Sequence, residues 1–317
     1  MDTAEGYAAA YRELTAEDGD FSKLTVAAEV VAEAAPKRQR GSADDDAMAG
    51  APQLRAASSS TPLSSLAPNE KLVHIVRHAQ GIHNAMSENG KHSHIKTMRA
   101  HDARLTEKGE AQCAALRDGA TAAVSPEVIV VSPLTRTLQT AAIGFQRHIS
   151  GTSAPPVPMV ACEAWRETVN FRCDGRREIG VIAAEHPAVD FSHVEHDGDE
   201  AWAHYERLHG PAESFKEHRE SADKPALATR ARAALGFLAG REERELALVT
   251  HKAFLTHVLN YGQPTDLQGR ELAGRLEAAT PLVDYGGDAE LAASMRRPFE
   301  NAELRTVIMR FGACMGA

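Results

Sequence analysis

The chain has 317 residues, 43% of them apolar and 25% charged, and a formal net charge of −9 at pH 7. That is a globular composition with apolar residues enough for one large α/β domain or two smaller ones. The acidic balance excludes the basic face of a general nucleic-acid binder, and no apolar run approaches the roughly 18 residues of a membrane span.

Residues 1–70 are rich in Ala, with DDD at 44–46, SSS at 58–60 and scattered Pro. They read as a low-complexity, largely disordered tail, with a short helix expected over 24–35. The N-terminus, MDTAEGYAAAYRELTAEDGD, lacks the basic and apolar regions of a signal peptide. A cytoplasmic location is expected, with the basic KRQR at 37–40 as a nuclear alternative.

From residue 71 to 317 strands alternate with helices. Apolar runs mark strands at 72–76 (LVHIV), 127–132 (EVIVVS), 156–161 (PVPMVA), 245–250 (ELALVT) and 304–311 (LRTVIMRF). Leu134, Leu138, Ala142, Phe145 and Ile149 recur at helical spacing, as do Leu227, Ala231, Leu235 and Leu238. The alternation predicts a three-layer α/β/α sandwich on a mostly parallel sheet, with 304–311 as an antiparallel edge strand. Residues 170–224 are polar and read as a long excursion over the sheet, in the place of a substrate lid. Cys113, Cys162, Cys173 and Cys314 form no C-x-x-C pair, which suits free thiols in a reducing compartment. His92 with His94, and His193 with His196, lack a second ligand pair at zinc spacing, so neither a metal nor a cofactor is expected.

Three apolar strands each deliver a cationic or ionisable residue at the carboxyl end: Arg77-His78, Arg136 and His251. In a parallel sheet those ends share one edge, where such sheets hold their ligands. Two imidazoles and two guanidiniums in one crevice suit phosphoryl transfer. A neutral imidazole is a competent nucleophile near pH 7, and arginine forks match phosphate oxygens. Arg136 also falls in the first turn of its helix, where free N–H groups favour an anion.

The segments RHAQGIHN (77–84), LTEKG (105–109), SPLTRTLQTA (132–141), RETVNFRCDGRR (166–177), VTHKAF (249–254) and ENAELRTV (300–307) resemble the histidine phosphatase, or phosphoglycerate mutase-like, superfamily. They are most similar to its plant, algal and fungal phosphoglycerate mutase-like branch. The resemblance implies His78 as nucleophile, Arg77 and Arg136 as phosphate ligands, and His251 as the histidine that stabilises the transferring group. It implies Asn84 as a further phosphate contact and Glu167 as general acid, with Glu163 the alternative. Lys252 stands where the family usually has a small residue, its side chain directed either at the pocket or at solvent. Arg172, Arg176 and Arg177, in the excursion, are candidates for reading a second anionic group, against the plain alternative of a solvated face.

No cysteine has an arginine six positions later, no D-x-D-x-T occurs in the acidic run, and there is no P-loop, so other phosphate chemistries find no support. The expected activity is that of a histidine acid-phosphatase-type phosphoric monoester hydrolase. It is metal-independent, acts on a small phosphorylated substrate, and has no nucleic-acid or membrane partner. The alternatives are a mutase-type phosphoryl transferase and a catalytically weak protein that binds a phosphorylated ligand.

Overall fold

The computed structural model describes residues 50–88, 100–150, 155–211, 219–263 and 280–312. The strands among them are β1 (Gln53–Ala56), β2 (Glu70–Arg77), β3 (Val128–Val131), β4 (Met159–Ala161), β5 (Val189–Asp190), β6 (Glu245–Thr250) and β7 (Leu304–Arg310). The helices are α1 (Ile82–Glu88), α2 (Glu107–Asp118), α3 (Thr135–Gly144), α4 (Gln146–Ile149) and α5 (Ile179–Glu185). They continue with α6 (Glu200–His209), α7 (Lys224–Ala239), α8 (Lys252–Asn260) and α9 (Ala289–Arg296). One sheet holds the strands in the order β1-β7-β2-β6-β3-β4-β5. From β2 to β5 every pairing is parallel, and β7 runs antiparallel to both β2 and β1.

Every residue of β2, β3 and β6 is buried, as continuous apolar runs covered on both faces require. Alternate residues serve opposite layers. Val73, Ile75, Val128, Val130, Leu246 and Leu248 pack with α7, α8 and α9 on one face. Val76, Ile129, Val131, Ala247 and Val249 pack with α2, α3 and α5 on the other. The helical spacing of Leu227, Ala231, Leu235 and Leu238 is the buried stripe of α7, each leucine contributing about 1.5–3 kcal/mol of burial. Asp223 starts that helix by accepting the Ala226 N–H at 3.1 Å. This is the three-layer α/β/α sandwich on a mostly parallel sheet.

Four expectations need correcting. The boundary at residue 70 falls inside the fold: Gln53–Ala56 is the outermost strand, and Leu54, 1% exposed, enters the main core. Gln-Leu-Arg-Ala is too short for its alternation to be read, and Leu54 is its one large apolar side chain. Consequently β7 is antiparallel as expected but lies one place in from the edge. The helix read across 134–149 is interrupted at Phe145 (φ −110°, ψ 19°), where the Gly144 carbonyl accepts Thr121 Oγ1 at 2.7 Å. The strand at 156–161 shortens to Met159–Ala161, since Pro156 and Pro158 have no N–H for the ladder. The excursion carries α5, β5 and α6. Cys113, Cys162 and Cys173 are buried free thiols. The expected helix at 24–35, KRQR, His92, His94 and Cys314 lie outside the described residues. No described helix is long and apolar enough to cross a membrane.

Candidate active site

Three neighbouring parallel strands end together. Arg77 pairs with Thr250 and Val131 with Val249, so His78, His251 and the segment Ser132–Arg136 emerge at one sheet edge. The alignment continues past the strands: His78 N–H reaches Thr250 O at 2.9 Å, and Ser132 N–H reaches Val249 O at 3.1 Å. From before β7, Asn301 donates Nδ2 to the His78 carbonyl at 2.9 Å. Ala302 donates to the Arg77 carbonyl at 3.1 Å, with φ at 58°, a left-handed backbone costing a non-glycine residue about 1–2 kcal/mol.

His78 is 2% exposed, with Nδ1 2.7 Å from the Ala79 carbonyl. A carbonyl only accepts, so Nδ1 holds the ring proton and Nε2 keeps its lone pair. Burial first, then the charges of Arg136 and Arg77, push its pKa well below the usual imidazole value. The ring is therefore neutral near pH 7. The His251 ring centre lies 5.1 Å away at 56°, with Nε2 2.8 Å from Ser132 Oγ. Burial and Arg136 depress its pKa likewise.

Arg77 donates Nη1 to Phe299 O at 2.8 Å. Arg136 donates Nη1 to Cys173 O at 2.7 Å and faces Asp174 at 3.7 Å. Arg136 stands in the first turn of α3, which Asp102 anchors by accepting the Thr135 N–H at 2.8 Å and Thr135 Oγ1 at 2.6 Å. Around His78 cluster buried nitrogens without a hydrogen-bond partner: Nε of Arg77, Nε of Arg136, Nδ1 of His251 and Nδ1 of His83. Open buried polar nitrogens are rare in proteins, and an anion would satisfy the arginine Nε–H donors and any imidazole nitrogen that carries its ring's proton.

Glu167 reaches across from the segment after β4 to the start of α8. Its Oε1 accepts the Phe254 N–H at 2.9 Å and its Oε2 the Ala253 N–H at 3.2 Å. His251, at the N-cap, makes no side-chain bond to that helix. The distant carboxylate caps it instead, fixing Glu167 beside His78 in a cleft of about 220 Å³ lined also by Arg77, His83, Asn84, Asp174 and Lys252. Asn84 accepts the Gly81 N–H at 3.0 Å, which leaves its NH2 as the donor end. Lys252 lines the cleft and is also solvent-exposed, so the two alternatives do not exclude each other. Cys173 is no rival nucleophile, because burial raises its thiol well above the ordinary value.

Four candidates lie elsewhere. Glu163 pairs with Arg166 at 2.6 Å and Arg176 at 3.0 Å, away from the cleft. Arg176 spends its remaining donors on the carbonyls of Arg177, Asp197, His196 and Gly198. Arg177 binds Asp102, Thr135 and Glu185, bracing the helix that carries Arg136 rather than reading a ligand. Arg172 lies over the Trp202 ring, 4.9 Å from its centre. These side chains are held by protein partners, which their position in a polar stretch did not reveal. Conversely, His83 and Asp174 line the cleft although no spacing singled them out.

Two imidazoles and two guanidiniums thus lie together at the open end of a parallel sheet, an arrangement chemically suited to holding an anion. The sequence model of the histidine phosphatase superfamily (branch 1) matches residues 73–290. The chain belongs to that superfamily. A phosphoglycerate mutase-like protein of Arabidopsis thaliana is 34% identical over 215 residues, covering 60% of this chain and 74% of the relative. A probable phosphatase of Schizosaccharomyces pombe is 28% identical over 183 residues, covering 57% and 74%. Among solved structures, a mycobacterial glucosyl-3-phosphoglycerate phosphatase is 16% identical with a TM-score of 0.39, covering 75% of this chain and 90% of that one. Membership places the chain among enzymes of phosphatase or mutase activity.

Proposed function

We propose that this protein is a metal-independent phosphomonoesterase of the cytoplasm that works through a phosphohistidine on His78. The observation that carries this reading is the His78 tautomer. Nδ1 is tied to Ala79 O, so the lone pair of Nε2 is available to a phosphorus held by the open donors around it. Nε2 attacks phosphorus and the ester P–O bond breaks. Glu167 gives its proton to the departing alkoxide, then takes one from a water that attacks the phosphohistidine, breaking the P–N bond and releasing inorganic phosphate. Arg77, Arg136 and His251 hold the charge that spreads over the phosphoryl oxygens, and Asn84 adds a donor at the rim. Lys252 and Ala253, both exposed, leave water a route to the intermediate among the described residues, which favours hydrolysis over phosphoryl retention.

The test is phosphate release from p-nitrophenyl phosphate and a panel of phosphorylated metabolites, in EDTA. Wild type should release phosphate, and His78→Ala should lose at least about a thousandfold in kcat/KM. Activity that vanishes in EDTA, or survives in His78→Ala, contradicts the proposal. Transfer between phosphoglycerates with little release to water moves the reading to a mutase.

A further inference from the structure

His83 is a buried titratable group of the cleft that the mechanism above leaves idle. It lies in α1, is 8% exposed, and lines the cleft. Its ring centre is 5.5 Å from that of His78, at 46°, and its buried Nδ1 has no hydrogen-bond partner. A leucine would fill the same space without stranding a nitrogen, so burial alone does not account for an imidazole here.

Gly81 supplies a second observation. A Cβ on residue 81 would lie 2.8 Å from both Cε1 and Nδ1 of His83, inside van der Waals contact. Gly81 does not have a left-handed backbone, so no turn conformation demands glycine. What residue 81 provides is room, and its nearest occupant is the His83 ring, with the Arg104 carbonyl oxygen next at 3.3 Å. Burial, then the charges of Arg136 and Arg77, push its pKa well below the usual imidazole value and keep the ring neutral near pH 7. Lys252, Glu167 and Asp174 are the other charged groups facing the cleft.

We propose that His83 is a third imidazole of the phosphoryl site, donating a hydrogen bond to a non-bridging phosphate oxygen beside Arg77, Arg136 and His251. This rests on the phosphatase reading and deepens it: the neutral ring adds a donor without adding another cation to a space that already holds two.

The test is a double-mutant cycle of Gly81→Ala, His83→Ala and the pair, with His83→Gln as the variant that keeps a donor. Circular dichroism first selects folded proteins, and inhibition by inorganic phosphate is read alongside kcat/KM. Loss of one hydrogen bond to a charged group predicts phosphate inhibition weaker by about tenfold to a hundredfold in His83→Ala. The new methyl should produce a similar loss in Gly81→Ala by displacing the ring. Because both act through one side chain, the pair should be no worse than His83→Ala alone, and His83→Gln should recover part of the loss. Unchanged phosphate inhibition in an active His83→Ala enzyme overturns the inference, and so do effects of the two substitutions that multiply. A wild type that releases no phosphate defeats the phosphatase reading instead. Calorimetric titration of the same variants with inorganic phosphate then judges His83 separately: weaker binding in His83→Ala sustains it and equal binding refutes it.

Discussion

Asp174 shows how one carboxyl sets a pH limit. Burial, then the charge of Glu167, push it up to about 7, with Arg136 pulling the other way. Below that pH Asp174 is neutral and, in the mechanism we propose, the guanidinium of Arg136 is left to a phosphate. Above it, a carboxylate forms 3.7 Å from Arg136 and offsets that charge. We expect kcat/KM to fall as pH rises through about 7, and Asp174→Asn to move this limb upward. A limb unchanged in Asp174→Asn, in a full pH–rate profile, would assign it to another group. The sign for stability follows from the same shift. Between the ordinary carboxyl value of 3.8 and about 7 the unfolded chain is ionised while the folded chain holds the proton, so stability falls as pH climbs through that window. On the acid side, His78 and His251 are both depressed well below the usual 6.5, so His78, the nucleophile we propose, stays unprotonated into mildly acidic solution.

Among the elements, those with strong patterns were legible and those held by a few tertiary contacts were not. The five apolar runs all became strands, because a strand covered on both faces must be apolar throughout. β1 escaped notice since it contributes only Leu54 to the core. It is fastened by backbone bonds to β7 and by the Leu54 N–H to Asp284 O at 2.7 Å. Arg55 reaches inward across β7 to the buried Glu70 of β2 at 2.6 Å, a further tie to the sheet. Leu54→Ala should destabilise the protein by about 2–5 kcal/mol, measured as a lower urea midpoint with an unchanged slope. A change under about 0.5 kcal/mol would mean that β1 is only loosely attached. The LTEKG segment is also explained at this scale. Thr106 caps α2 through the Gly109 N–H at 3.0 Å, and a Cβ at Gly109 would come within 2.1 Å of the Gln80 carbonyl. Glycine there lets the helix start press against the loop that follows His78.

Across the whole molecule, the site is a consequence of topology. Parallel neighbours β2, β6 and β3 bring Arg77, His78, His251 and Arg136 to one edge from positions scattered over the chain, and their meeting could be read because strand ends are visible in sequence. Arg176 and Arg177 show the opposite case: their partners, Glu163, Asp102 and Glu185, become neighbours only once the excursion folds back. The idle-looking nitrogen of His83 and the raised carboxyl of Asp174 likewise depend on burial that no spacing encodes. The most direct test of the central claim is to mix wild-type enzyme with a phosphomonoester, quench in alkali within the first turnovers, and locate any phosphoryl group by peptide mass spectrometry. The account predicts a transient adduct on His78, formed faster than steady-state turnover and absent from His78→Ala. Hydrolysis at the normal rate with no adduct on His78, or an adduct on another residue, would contradict it.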